Sequence, residues 1–119
     1  MTNQKEDFEK RVYRYAMDIV RFVEELPKDP TTYILGGQLL RSGTSVTANI
    51  FEAKSASSKK DYINFYHHAL KSANESKLWI SLLRDAKKTA EDKASVLLQE
   101  TIEIANIIAA SILTMKGKR

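Results

Sequence analysis

The chain contains no cysteine, which excludes a disulfide framework, thiolate metal sites, cysteine nucleophiles and redox roles together. Proline and glycine are scarce, two and four in 119 residues, so little material is left for loops and long helices are the natural consequence. No window approaches the roughly 18 uninterrupted apolar residues of a membrane-spanning helix. The opening MTNQKEDFEK is charged where a signal peptide would carry its apolar core, so a cytoplasmic protein without a membrane partner is expected. Enzyme signatures are missing too. The segment GGQLL lacks the glycine spacing and the Lys-Ser/Thr of a phosphate loop, and neither HExxH nor EF-hand spacing occurs. The Glu-x-x-His pairs of di-iron bundle enzymes are absent. His67 and His68 are adjacent, project about 100° apart on a helix, and cannot share one metal at i, i+4 spacing. A non-enzymatic protein with no metal and no cofactor is expected.

What is present is 43% hydrophobic and 29% charged residues, the composition of one globular domain spanning residues 1–119. Lys+Arg 19 against Asp+Glu 15 gives a net charge of +4, and the pI is near 9.3, a mild tilt toward anionic partners.

Apolar residues at Phe8, Val12, Tyr15, Ile19, Phe22 and Leu26 alternate steps of four and three, which predicts an amphipathic helix over 5–26 with a heptad-like seam. Pro27 and Pro30 stop it. A second helix over 30–56 starts with Asp29 as cap and Pro30 at the first helical position. Its seam is rich in small residues, and Gly36, Gly37 and Gly43 each cost about 1 kcal/mol against Ala inside a helix, so close helix approach is expected as compensation. Ser58 with Asp61 resembles a capping box opening a third helix over 58–87, the aromatic-rich one with Tyr62, Phe65, Tyr66 and Trp79. Thr89 with Asp92 repeats that signature before a fourth helix over 90–116. Its seam is Ala94, Leu98, Thr101, Ala105, Ile108, Ile112 and Met115, with Leu97, Ile102, Ile104, Ile107 and Leu113 off it. So wide an apolar arc exceeds one bundle core and predicts burial against another subunit. Gly117 ends the helix before a basic tail of Lys116, Lys118 and Arg119, expected to be disordered. Four helices with short connections give an all-α, antiparallel up-down-up-down four-helix bundle as the default topology.

The unusual stretch is Gln38 to Ala53, QLLRSGTSVTANIFEA, whose inward-looking positions carry Arg41, Ser42, Ser45, Asn49 and Glu52 among the aliphatics. If the second and third helices fold back at Ser57 and Ser58, Arg41 lies level with Asn74 and Glu75, Asn49 with Tyr66 and His67, and Glu52 with Tyr62 and Ile63. An Arg41 to Glu75 ion pair follows, fixing register, because a half-buried guanidinium without a carboxylate would cost several kcal/mol. On that reading Arg41→Ala unfolds or dissociates the protein. A small-molecule site using Arg41, Asn49, Tyr66 and Glu75 is a third reading of the same group. Basic clusters provide candidate nucleic-acid contacts at Lys10, Arg11, Arg14 and Arg21, at Lys59 and Lys60, and at Lys87 and Lys88. They suit phosphates rather than base edges. The competing reading is a protein-interaction bundle whose basic residues only keep it soluble.

The stretch 38–53, followed by Ser-x-x-Asp-Tyr at 58–62 and by Glu75 with Trp79 to Leu83, resembles the four-helix bundle family of proteins encoded in intervening sequences of bacterial 23S rRNA genes. The resemblance covers nearly the whole chain, and its helix-two motif is the specific part. It implies that Gln38, Arg41, Ser42, Ser45, Asn49 and Glu52 are the family's Gln, Arg-Ser, Ser, Asn and Glu. Where a Gly usually follows the next small residue, this chain has Ala53-Lys54. The family is similar to the accessory variability protein of diversity-generating retroelements. The likeness therefore implies a homopentamer with a basic surface, RNA or DNA as partner, and a reverse transcriptase or another protein as a further partner. Five copies at +4 each would carry about +20, enough to matter for phosphate binding.

Overall fold

The computed structural model describes residues 4–118, without the side chains of Gln4 and Glu6; Arg119 of the expected basic tail lies outside them. Four helices follow in chain order: α1 (Gln4–Glu24), α2 (Pro30–Glu52), α3 (Lys59–Asp85) and α4 (Glu91–Met115), with a short 3-10 turn (Ala53–Ser55) after α2. No strand occurs among the described residues. The helix expected to run to residue 56 ends as α-helix at Glu52 and tightens through the 3-10 turn, closed by the Ala56 amide donating to the Ala53 carbonyl at 3.1 Å.

Local chemistry sets the boundaries. Asp29 is extended and caps α2, its Oδ1 accepting the Thr32 amide at 3.0 Å and its Oδ2 the Thr32 hydroxyl at 2.9 Å, with Pro30 just inside. The Thr32 amide, then the Thr32 hydroxyl and Lys88, hold the Asp29 carboxyl below its ordinary range. Ser58 caps α3 by accepting the Asp61 amide at 3.0 Å, while the Asp61 carboxylate reaches back to the Ser57 amide at 3.1 Å rather than to that of Ser58. The cap expected at Thr89 is not formed. Ala90 occupies the N-cap of α4 without a side-chain bond, and Asp92 accepts the adjacent Lys93 amide instead. Glu91 and Asp92 still favour the positive end of the helix dipole. Lys87, at φ 59°, closes α3 with the Lys88 amide donating back to the Leu83 carbonyl, and Gly117, at φ 71°, closes α4 in the same way. The glycine was legible in the sequence; the left-handed lysine carried no such signal.

The core draws on every helix. The α1 seam buries Val12, Tyr15, Ile19, Phe22 and Leu26 against Leu39, Val46 and Ile50 of α2, Ala69, Ala73, Ile80 and Leu83 of α3, and Ala94, Ile104, Ala105 and Ile108 of α4. α2 packs on α1 and α3, and α3 on α4, whereas α1 and α4 meet sparingly. Close approach of α1 and α2 is the reason for two glycines: a Cβ on Gly43 would stand 2.9 Å from three side-chain atoms of Ile19, and one on Gly36 3.1 Å from Leu26. Gly37 has nothing within 4 Å of a Cβ, so the close-approach argument fails there. On α4, Leu97 and Ile104 turn inward although they lie off the expected seam, and Leu98 is only partly buried. A straight helix drifts relative to a strict seven-residue repeat, which spreads its inward arc. By length and composition α4 could cross a membrane, an 18-residue window of it having a mean hydropathy of 1.6, yet its buried residues line this shared core.

Buried hydroxyls stitch the helices together. Ser42 and Ser76 share a 2.8 Å hydrogen bond between α2 and α3, Tyr15 and Thr101 one of 2.7 Å between α1 and α4, and Thr47 donates to the Val12 carbonyl at 2.5 Å. Among the described residues, no buried side-chain nitrogen or oxygen lacks a partner. Burial pushes the Tyr15 phenol up to about 12 from 10.0. The fold therefore favours its neutral form, a contribution present in full below about pH 10 and lost as pH rises toward 12. Tyr15→Phe should lower stability by about 1 kcal/mol at neutral pH, because Thr101 keeps its bond to the Leu97 carbonyl. It should also shallow the alkaline decline, as urea midpoints across the pH range would show.

Candidate functional site

The polar stripe of α2 divides into one buried member and several surface ones. Ser42 is fully buried, donating weakly to the Leu39 carbonyl at 3.4 Å beside its bond to Ser76. Arg41, only one position away and therefore about 100° round the helix, keeps 56% of its side chain exposed. It pairs with Glu75 as expected, and it also donates to Gln38 Oε1 from Nη2 at 3.1 Å. Glu75 in turn accepts the Trp79 indole N–H at 2.9 Å. The result is a surface chain, Gln38 to Arg41 to Glu75 to Trp79, bridging α2 and α3.

The expectation of a half-buried guanidinium is corrected accordingly, and so is the inward direction of Glu52, which is exposed. Ser45 donates to the Arg41 carbonyl at 2.7 Å and Asn49 Nδ2 to the Ser45 carbonyl at 2.9 Å, both local bonds along their own helix. Tyr66 stacks on Tyr62 with ring centroids 5.2 Å apart. The Arg41 to Glu75 pair, Asn49 and Tyr66 are thus engaged in three separate contacts. Solvent screens so exposed a pair, so Arg41→Ala should leave the chain folded and cost less than about 1 kcal/mol. A thermal melt at low protein concentration checks this, and outright unfolding would restore the buried-pair reading.

Beside this network lies a concavity of about 1060 Å³ at the turn between α1 and α2. Leu26, Pro27, Gly37 and Leu40 line it, Gln38 and Arg41 stand at its edge, and Tyr33 and Ile34 are left 83% and 62% exposed. Leu78 and Leu82 of α3 are exposed as well. Large apolar side chains gathered on one side of a small protein mark a contact surface.

The basic residues also divide. Arg11 is not available, since its Nε and Nη2 donate to Glu100 at 2.9 and 2.6 Å and Nη2 to Glu103 at 2.9 Å, a clamp between α1 and α4. The Gln99 amide first and Arg11 second hold the Glu103 carboxyl below its usual range. Lys88 stands 3.4 Å from Asp29. Both are removed from the candidate contacts, because a cation already paired gains little from a phosphate. Lys10, Arg14, Arg21, Lys59, Lys60 and Lys87 are exposed, and none forms an ion pair among the described residues. Arg21 shares its concavity with Asp18, Glu25, Asp92 and Glu100, a mixed-charge setting.

Lys10 occupies a different setting, with Tyr13, Phe51 and Glu9, and Arg14 borders both that concavity and one that holds Asp18, Glu100 and Glu103. Lys54 bonds Glu9 at 2.9 Å, and Lys5 stands 4.7 Å over the Tyr62 ring. These contacts bring the start of α1, the 3-10 turn and the start of α3 to one end of the molecule, where Lys5, Lys10, Lys54, Lys59 and Lys60 stand among Asp7, Glu9, Glu52 and Asp61. Sequence reasoning missed Lys5, Lys54, Tyr13 and Phe51. The available signal was an aromatic on the polar side of the α1 seam, which packing onto the core cannot explain.

The comparisons with known proteins agree with this architecture. The sequence matches the 23S rRNA-intervening sequence protein family over residues 4–110. A crystal structure of a protein of unknown function from the S23 ribosomal protein family of Bacteroides thetaiotaomicron is similar at a TM-score of 0.83 and 31% identity, covering 88% of this chain and 97% of that one. No curated protein matches the sequence. With the family match spanning nearly all of the four-helix chain, this chain belongs to the 23S rRNA-intervening sequence protein family.

Proposed function

We propose that this protein is a non-enzymatic, cytoplasmic scaffold that associates with RNA or DNA through the phosphate backbone. Its unit is an antiparallel up-down-up-down bundle, and it assembles as a closed homopentamer. The observation that carries the nucleic-acid reading is the set of cations Lys10, Arg14, Lys59 and Lys60, which stand exposed and outside every ion pair among the described residues. Exposed cations outside any ion pair suit phosphates, whose recognition needs charge rather than an ordered pocket.

The antiparallel arrangement is supported by cross-helix partners that run in opposite chain directions: Arg11 with Glu100 and Lys93 with Glu25, Thr47 with Val12 and Gly36 with Leu26. Assembly is supported by the apolar surface of Tyr33, Ile34, Leu40, Leu78 and Leu82, with the Arg41 to Glu75 pair inside it to set register.

A mobility shift with a structured RNA tests the binding: retardation at low salt and release at moderate salt are expected, and unshifted RNA at every protein concentration contradicts it. Light scattering tests the assembly, which requires about five times the 13.5 kDa of one chain; a monomer contradicts it. A second reading, a bundle that binds a protein such as a reverse transcriptase and no nucleic acid, is favoured by the mixed charge around Arg21.

A further inference from the structure

We infer that Tyr13 and Phe51 form a base-stacking platform that selects single-stranded nucleic acid, a substrate class that rests on the backbone-binding reading above and narrows it. Tyr13 of α1 is 59% exposed and Phe51 of α2 is 38% exposed, with ring centroids 6.4 Å apart and planes inclined by 47°. The two rings come from different helices and border a concavity of about 350 Å³ whose other walls are Glu9, Lys10 and Arg14. Lys54 closes the far side, its Nζ 5.2 Å from the Phe51 centroid and 2.9 Å from Glu9. Glu9, the one carboxylate in this lining, is therefore already neutralised, while Lys10 and Arg14 are not.

A single strand presents alternating phosphates and open π-faces, and this surface presents the complementary alternation of cations and exposed rings. A protein segment would need carboxylates to answer Lys10 and Arg14 and apolar groups to cover the rings. A duplex keeps its base faces stacked away, so it can use the cations but not Tyr13 or Phe51. The chemistry shared by RNA and DNA strands is the base face and the phosphate; nothing in the pocket is specific to one sugar.

The test is fluorescence anisotropy at matched salt with labelled oligouridylate and oligothymidylate of roughly 15 nucleotides, long enough for one site, and with each strand hybridised to its complement. Wild-type protein should bind single strands more tightly than duplexes. Tyr13→Ala and Phe51→Ala should each weaken single-strand binding on the order of tenfold, as loss of one base–aromatic stack does. Duplex affinity and melting temperature should stay unchanged, and Tyr13→Trp should retain single-strand affinity. The uridylate and thymidylate arms then say whether RNA, DNA or both are held this way. Equal affinity for strand and duplex, with Tyr13→Ala altering neither, overturns the platform and leaves backbone binding standing. No binding of any probe at low ionic strength overturns both. A Tyr13→Ala protein of smaller assembled mass assigns the rings to contacts between copies and overturns the platform.

Discussion

Gly43→Val should destabilise the protein by about 3 kcal/mol, the upper range for overpacking a filled core, and lower the melting temperature by on the order of 10 °C. Even a bare Cβ at Gly43 would meet three atoms of Ile19 at 2.9 Å, and Ile19 is fully buried, so it yields only by pushing on the core around it. The better helix propensity of valine returns only a few tenths of a kcal/mol, so the steric conflict decides the sign. The partner substitution identifies the cause. Ile19→Ala alone should cost about 2–5 kcal/mol through the cavity it leaves, yet it removes three side-chain carbons where Gly43→Val adds three. The double variant should therefore lose less than the sum of the two, by about 1–3 kcal/mol, the coupling expected of side chains in direct contact. Strict additivity in urea titrations would mean that α1 and α2 do not approach as closely as 2.9 Å requires.

The second large effect concerns binding. Replacing Lys10, Arg14, Lys59 and Lys60 together with glutamine should weaken binding to a structured RNA on the order of a hundredfold at low salt. It should also reduce the slope of log affinity against log salt by about four, one for each phosphate contact removed. All four are exposed, and none forms an ion pair among the described residues, so folding should be nearly unaffected. Arg11→Gln offers the contrasting control. Its guanidinium clamps Glu100 and Glu103, so its loss should lower stability modestly through two uncompensated carboxylates and leave RNA affinity alone. A sequence-level reading that pools Arg11 with Arg14 cannot make that distinction, because the acid that occupies Arg11 lies 89 positions away.

That separation shows where the sequence was readable and where it was not. The α1 seam from Val12 to Leu26 is buried as its period requires, because a stripe repeating every three to four residues leaves a helix one way to face a core. The Asp29 and Ser58 caps were legible for the same local reason. The stripe on α2 was harder. Ser42 and Arg41 differ by one position, and periodicity alone does not say which of two adjacent polar residues turns inward; the shape of α3 opposite decides, admitting the Ser76 hydroxyl to Ser42 and leaving the longer Arg41 to reach Glu75 at the surface. The Arg41 to Glu75 pair was foreseen from equal distance to the turn, but its exposure was not. Thr89 failed as a cap since α3 ends through the left-handed Lys87, which moves the chain so that Ala90 precedes α4. The Tyr13 and Phe51 pair was invisible because it joins two helices whose relative rotation no local pattern encodes.

The similarity to the Bacteroides thetaiotaomicron protein, at 31% identity and a TM-score of 0.83, concerns the fold. What distinguishes a scaffold for nucleic acid from a bundle that binds only protein is the use of Lys10, Arg14, Lys59 and Lys60. The most direct measurement is the anisotropy of a labelled structured RNA titrated with the wild-type protein across a salt series. Log affinity should fall linearly with log salt, with a slope of about −3 to −4 if four cations meet phosphates. A flat salt dependence, or no binding at the lowest ionic strength, would contradict the account.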